Sequence, residues 1–198
     1  MLLWGCEKNP MRHLINPLSD GALGNVSWGE WVIYDDDVKT RGDIMLSPTD
    51  AHQVIEEVSE NPYSGKRCLK YYWDGEKIDR KDWVAAIFTT QPNWQYYQNP
   101  VAVDLSSGAY TKITFYARGN TIGNTKVIIK GPRGSGQTPD TNSVKMEISV
   151  ESNWQKYTFN ISNSDLTNVQ QFFTIVFQNE NSSPGGATLY IDEIKYIP

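Results

Sequence analysis

Val144–Glu151 is the passage that most constrains what this chain can become. Val144, Met146, Ile148 and Val150 alternate strictly with Lys145, Glu147, Ser149 and Glu151. A helix would scatter those two sets around its axis, whereas a strand puts one on each face of a sheet. The same texture recurs along the chain. Lys112–Arg118 sets Ile113, Phe115 and Ala117 against Thr114, Tyr116 and Arg118, and Arg67–Asp74 sets Leu69, Tyr71 and Trp73 against Cys68, Lys70 and Tyr72. Trp28–Tyr34, Trp83–Thr89, Lys126–Lys130, Gln155–Ile161, Phe172–Gln178 and Thr188–Ile197 complete about nine β-rich stretches separated by turn residues. Asp50–Ser59 reads as the one helix, on its Asp cap and the spacing of Val54, Ile55 and Val58, and nearly as well as a strand on its β-branched content. Without alternation of strands and helices, the pattern predicts an all-β chain, a single antiparallel β-sandwich of jelly-roll type. Residues 28–198 form that domain, and residues 1–27, which lack periodicity, form a tail or linker.

At 198 residues the chain can bury a substantial core without disulfides. Its net charge of −5, with charges interspersed, gives no basic footprint for nucleic acid or an anionic membrane. No stretch approaches the ~20 apolar residues of a membrane span. The two cysteines stand in contexts that argue against pairing: Cys68 lies in a strand-like run, where a thiol behaves as a small hydrophobe. Leu2-Leu3-Trp4-Gly5-Cys6 looks like a lipoprotein cleavage box, although Trp4 is bulky and no long apolar run precedes it. Read as a signal remnant it implies export and a lipid tether at Cys6; read as chance it marks only the start of the tail.

Four strings, in order, carry a family likeness: Glu60-Asn61-Pro62-Tyr63-Ser64-Gly65-Lys66-Arg67-Cys68-Leu69-Lys70, Asp104-Leu105-Ser106 with Lys112–Gly119, Asn153–Ile161, and Gly186–Ile194. Over residues 28–198 the chain resembles the galactose-binding-domain-like β-sandwiches that include many carbohydrate-binding modules of secreted bacterial polysaccharide-degrading proteins. The resemblance implies a polysaccharide or oligosaccharide partner, association with carbohydrate-active proteins, and a secreted or cell-surface location. It also implies a structural Ca2+, held by Asp35, Asp36 and Asp37, by carbonyls of the Ser64-Gly65-Lys66 turn, and by Asp192. Clustered carboxylates and carbonyls are the hard oxygens such a cation takes; the alternative is a solvated Asp-rich turn. Trp154 corresponds to a tryptophan the family buries at a strand start, and is expected in the core.

Tyr71, Tyr72, Trp73, Trp83, Phe88, Trp94, Tyr96 and Tyr97 crowd 27 residues of a chain that is 12% aromatic overall. Rings in such excess fill a sandwich core or stack on sugars. Alternation sends Tyr71 and Trp73 inward with Leu69 and Tyr72 outward, while Trp83 and Phe88 lie on a strand whose two faces are both apolar. Trp94, Tyr96 and Tyr97 sit in the polar, amide-rich segment Gln91–Asn99, where rings cover C–H faces and Asn or Gln meet hydroxyls. Tyr72, Trp94, Tyr96 and Tyr97 are therefore the candidate sugar-binding rings, with Asp140, Gln178 and Asn179 as polar companions. Catalysis has little support: His13 and His52 are isolated, and adjacent acids such as Asp192-Glu193 point to opposite faces of a strand unless a bulge intervenes. The expected function is non-catalytic carbohydrate binding, with a protein-interaction module of a surface assembly as the alternative and a glycoside hydrolase or lyase third. Arg41-Gly42-Asp43 and the Asn-x-Ser sequons at Asn25, Asn160 and Asn181 are too short to carry a function alone.

Overall fold

The computed structural model describes residues 30–38, 44–49, 52–79, 81–90, 102–134, 144–180 and 185–198. In chain order the strands are β1 (Trp31–Asp35), β2 (Asp37–Val38), β3 (Ile44–Ser47), β4 (Gln53–Val58), β5 (Cys68–Trp73), β6 (Trp83–Thr89), β7 (Lys112–Ile122), β8 (Thr125–Lys130), β9 (Arg133–Gly134), β10 (Lys145–Ile148), β11 (Gln155–Asn160), β12 (Val169–Asn179) and β13 (Gly186–Ile197). Every pairing between them is antiparallel. The expected all-β sandwich is therefore the fold.

The strands make two sheets. In sheet A, β13 is the spine: β7 runs along one edge of it, while β5 takes its first half and β1 its second half on the other edge. β11, β4 and β2 lie outside β7, β5 and β1. Sheet B runs β10-β8-β12-β6-β3, with β9 against the start of β12.

The core lies between the sheets and is largely aromatic. Tyr71 of β5 stacks on Phe177 of β12 at 4.4 Å, and Phe115 of β7 meets Phe173 edge-on at 5.3 Å. Three buried rings satisfy their polar atoms: Tyr71 Oη donates to Gln53 Oε1 (2.6 Å), Tyr196 Oη to the Phe172 carbonyl (2.6 Å) and Trp73 Nε1 to the Glu76 carbonyl (2.9 Å). Leu69, Tyr71 and Trp73 are fully buried and Tyr72 is exposed on the opposite face, as alternation requires.

Two expectations need correction. Asp50–Ser59 is not helical: Gln53–Val58 is β4, paired along its length with β5. Ile55 points into the core and Val54 to the outside, so period two wins over the three-four spacing once a neighbouring strand offers pairing. Trp154 is also not in the core. It stands half-buried on the outer face of sheet A, where Nε1 donates to the Asn61 carbonyl (3.0 Å) and the ring packs edge-on to Tyr63.

Candidate functional site

The outer face of sheet B carries the arrangement best suited to a ligand. Val84, Ala86 and Phe88 of β6, and Phe173, Ile175 and Phe177 of β12, belong to the core, so their neighbours along each strand face away from it. Register then fixes rows across this outer face. Trp83, Gln178 and Lys126 form one row. Ser47, Ala85, Val176, Ile128 and Glu147 form the next, and Met45, Ile87, Thr174, Lys130 and Lys145 the third. Beyond them, Gln171 pairs Thr89 on one side and Arg133 on the other. An apolar band thus lies between two polar ends, with Met45, Ala85 and Val176 buried and Ile87 and Ile128 partly exposed.

Trp83 holds one end. It is half-buried, with the Lys81 ammonium 5.2 Å from its ring centre, and its register partner Gln178 is only partly covered. Lys126 completes the row and forms ion pairs with Glu180 (2.6 Å) and Glu147 (3.2 Å); hydrogen bonds to Glu180 and then Glu147 hold its ammonium above the ordinary lysine range. A flat ring, an amide and a fixed charge side by side offer a C–H surface, a two-way hydrogen-bonding group and an orienting ion. The sequence left Trp83 ambiguous because both faces of Trp83–Thr89 are apolar. The missing signal was the pairing with Gln178, which no local pattern contains.

The candidate residues do not form one site. Trp94, Tyr96, Tyr97 and Asp140 lie outside the described residues. Their segments are joined to the other end of sheet B, 91–101 following Thr90 and 135–143 lying between Gly134 and Val144. Gln178 is on the outer face of sheet B, but Tyr72 is on the outer face of sheet A, across the whole sandwich. Asn179 is only 3% exposed and belongs to the scaffold. Its Oδ1 accepts from Thr125 Oγ1 (2.6 Å) and its Nδ2 donates to the Gly75 carbonyl (3.2 Å), so both ends of the buried amide are engaged inside the scaffold.

Of the residues expected to hold calcium, Asp36 and Asp192 meet the Tyr63–Arg67 turn, but with the opposite polarity. Asp36 Oδ1 accepts the backbone N–H groups of Lys66 (2.6 Å) and Arg67 (2.8 Å). Asp192 Oδ2 accepts those of Tyr63 (3.1 Å) and Ser64 (3.2 Å), and its Oδ1 accepts that of Glu193 (2.8 Å). Gly65, at φ +60°, is required here: a Cβ would stand 2.3 Å from Asp36 Oδ2. A turn that aims N–H groups at these carboxylates presents positive hydrogens where a cation needs oxygen. Among the described residues no group of three or more His, Cys, Asp or Glu side chains converges. The described carboxylates of Asp36 and Asp192 are taken up by N–H groups and so do not favour a cation here; the side chain of Asp37 lies outside those described.

The bulge that could bring adjacent acids together does occur. Glu193 has φ 50° and the β13–β7 register slips there, so Asp192 and Glu193 share the outer face of sheet A. Their acidities are driven apart. Burial pushes Asp192 up, against the pull of its three N–H donors. Burial pushes Glu193 the same way, but hydrogen bonds from Lys195 and Ser64 outweigh it and hold the carboxyl below its ordinary range. Such a split can mark an acid–base pair, yet Asp192 is 0% exposed beneath the turn and touches no space a substrate can enter. The pair fastens the turn. Tyr63 stacked on Tyr116 (3.5 Å), the Arg118 guanidinium over Tyr190 (3.8 Å) and Tyr190 Oη donating to Glu60 (2.7 Å) fasten it further.

No family model and no curated protein matches this sequence. Solved structures do match in shape. A family 11 carbohydrate-binding module from Clostridium thermocellum, solved in complex with a β-1,3-1,4-mixed-linked tetrasaccharide, is 15% identical, with 85% of this chain and 95% of that one covered at a TM-score of 0.51. The family 30 carbohydrate-binding module of a cellulosomal cellulase of Clostridium thermocellum is 14% identical, covering 84% of this chain and 96% of its own at 0.53. Another family 30 module is 15% identical, at 84%, 97% and 0.52. No helix among the described residues is long and apolar enough to cross a membrane. The chain has the β-sandwich fold of carbohydrate-binding modules.

Proposed function

We propose that this chain is a non-catalytic carbohydrate-binding module, exported and acting at or beyond the cell surface, that receives a polysaccharide across the outer face of sheet B. The observation that carries this reading is the Trp83–Gln178–Lys126 row, a half-exposed indole flanked by an amide and a charge at the edge of an apolar band. The ring-rich segment Gln91–Asn99, outside the described residues, follows Thr90 in the chain, and its rings are the further candidates for this site. The likeness in fold to carbohydrate-binding modules agrees with it. Affinity electrophoresis against a polysaccharide panel tests the reading. Trp83→Ala and the pair Trp94→Ala with Tyr97→Ala should each abolish most retardation, whereas Tyr72→Ala, on the other sheet, should leave it unchanged. Retardation by no polysaccharide, or retardation indifferent to Trp83 and Trp94, removes the proposal.

One observation favours a second reading. Val54 (43% exposed), Tyr72 (43%) and Ile122 (59%) put apolar surface on the outer face of sheet A, and Val54 and Tyr72 are register partners. A protein partner seated there would make the chain an interaction module of a surface assembly; complex formation lost in Tyr72→Ala without any glycan binding would favour it.

A further inference from the structure

The turn over the outer face of sheet A carries a ring that its fastening does not require. Backbone N–H groups of Tyr63 and Ser64 bond Asp192, and those of Lys66 and Arg67 bond Asp36. Such bonds need no particular side chain at position 63. Tyr63 nevertheless lays its ring on Tyr116, with centres 3.5 Å apart and planes 13° apart, and meets the Trp154 ring at 6.1 Å and 69°. One face is covered and one side is walled, yet the residue is 43% exposed. The face turned away from Tyr116 is the open part.

Both walls of this aromatic corner are held in place. Trp154 Nε1 donates to the Asn61 carbonyl (3.0 Å), and the Arg118 guanidinium lies 5.2 Å from the indole centre. Rings fixed before a ligand arrives lose little freedom when it binds. A second observation concerns the groups beside them. Asn153 immediately precedes Trp154, and Asn61 is tied to it through the Nε1 bond. Both asparagines are exposed, and neither side-chain amide makes a hydrogen bond among the described residues. A free amide offers both donors and an acceptor, which is what sugar hydroxyls take, while an open ring face takes the C–H side of the same sugar.

We infer that the Tyr63–Trp154 corner, with Asn61 and Asn153, is a second glycan subsite, on the opposite side of the sandwich from the Trp83 row, so that one protein chain holds two polysaccharide strands at once. The inference rests on the carbohydrate-binding reading above and adds bivalency to it. A lone exposed tyrosine is ordinary on a protein surface. A ring locked from beneath, walled by an indole and flanked by two unused amides is a shaped site. Two sites facing opposite ways cannot both grip one short segment of glycan, so their joint effect is to link separate strands.

Isothermal titration calorimetry with tetrasaccharides of mixed-linkage β-glucan, xylan and β-mannan tests it, with the viscosity of each full-length polysaccharide as a second readout. One of the three tetrasaccharides should occupy two sites per protein chain, and its polymer should thicken when the protein is added. Trp83→Ala and Tyr63→Ala should each leave one site and abolish the thickening. Asn153→Ala, which removes no hydrogen bond within the protein, should weaken the second site about fivefold and leave the first unchanged. Retention of the Trp83 site in Tyr63→Ala shows that the fold is intact. If Tyr63→Ala loses both sites, Asn153→Ala decides, and two unchanged sites in that variant overturn the inference. Two sites persisting in Tyr63→Ala also overturn it. A single site in the unsubstituted protein overturns it and, when lost in Trp83→Ala, leaves the carbohydrate-binding reading standing; binding of none of the three overturns both.

Discussion

Substitution of Asp192 distinguishes a carboxylate caged by N–H groups from a carboxylate holding a cation. Three backbone donors converge on its two oxygens, at 2.8, 3.1 and 3.2 Å, and the residue is fully buried. Hydrogen bonds to a charged acceptor contribute about 1.5–3 kcal/mol each, so the three together exceed about 4 kcal/mol before the cost of burying the charge. That cost is real, since burial lifts the carboxyl above its ordinary pKa. Asp192→Ala leaves three donors facing a void and should destabilise the protein by about 3 kcal/mol, a fall in Tm of roughly 6–12 °C for a domain of this size. Asp192→Asn should behave differently. Its carbonyl oxygen can take the Tyr63 and Ser64 donors, it orphans only the Glu193 N–H, and it removes the buried charge. The net change should stay within about 1 kcal/mol of the parent. Urea unfolding of the parent and both variants, with and without excess chelator, reads this directly. If Asp192→Asn is as damaging as Asp192→Ala, and chelator lowers the parent by the same amount, the N–H cage is wrong and a cation sits at the turn.

Asn179→Ala should cost about 2 kcal/mol in the same assay, because it orphans the Gly75 carbonyl in the core and takes one partner from the Thr125 hydroxyl, which keeps the Ile122 carbonyl and the Gly186 N–H, while leaving glycan affinity unchanged; a loss of affinity without a loss of stability would return Asn179 to the binding site. The pH dependence follows from two opposite shifts. Asp192, raised above its ordinary 3.8, contributes stability in its neutral form that is lost as pH rises through its folded value, whereas Glu193, lowered from 4.5, contributes stability that is lost as pH falls through its folded value. The stability of the parent relative to Asp192→Asn should therefore decline as pH rises past about 4, and a rise instead would contradict the burial of Asp192.

What could be read in advance was whatever a strand states about itself. The alternation in Cys68–Trp73 identified which rings are buried, and the bounds of β6 were recovered at both ends. What stayed hidden depends on partners. Tyr72 and Gln178 look equally outward along their own strands, but β5 joins sheet A and β12 joins sheet B, so they face opposite sides of the molecule. β4 resembled a helix until β5 paired with it. Trp154 sits at a strand start as expected, yet the turn over sheet A supplies its cover, and that turn is held by contacts from Asp36, Arg118, Tyr116 and Asp192, far apart in sequence. The aromatic excess of residues 71–97 likewise divides by sheet: Tyr71, Trp73 and Phe88 fill the core, Tyr72 faces out from sheet A, and Trp83 faces out from sheet B.

The position of β13 has a consequence for how the molecule is made. It is the latest of the described strands to leave the ribosome, yet β7, β5 and β1 all pair with it. Until residues 186–197 emerge, those three strands have open edges and sheet A lacks its middle. The domain therefore cannot finish folding before that last strand is available. Its nascent form carries the exposed strand edges that invite pairing between chains, and closure waits on a contact spanning nearly the whole described length, the kind that slows folding most.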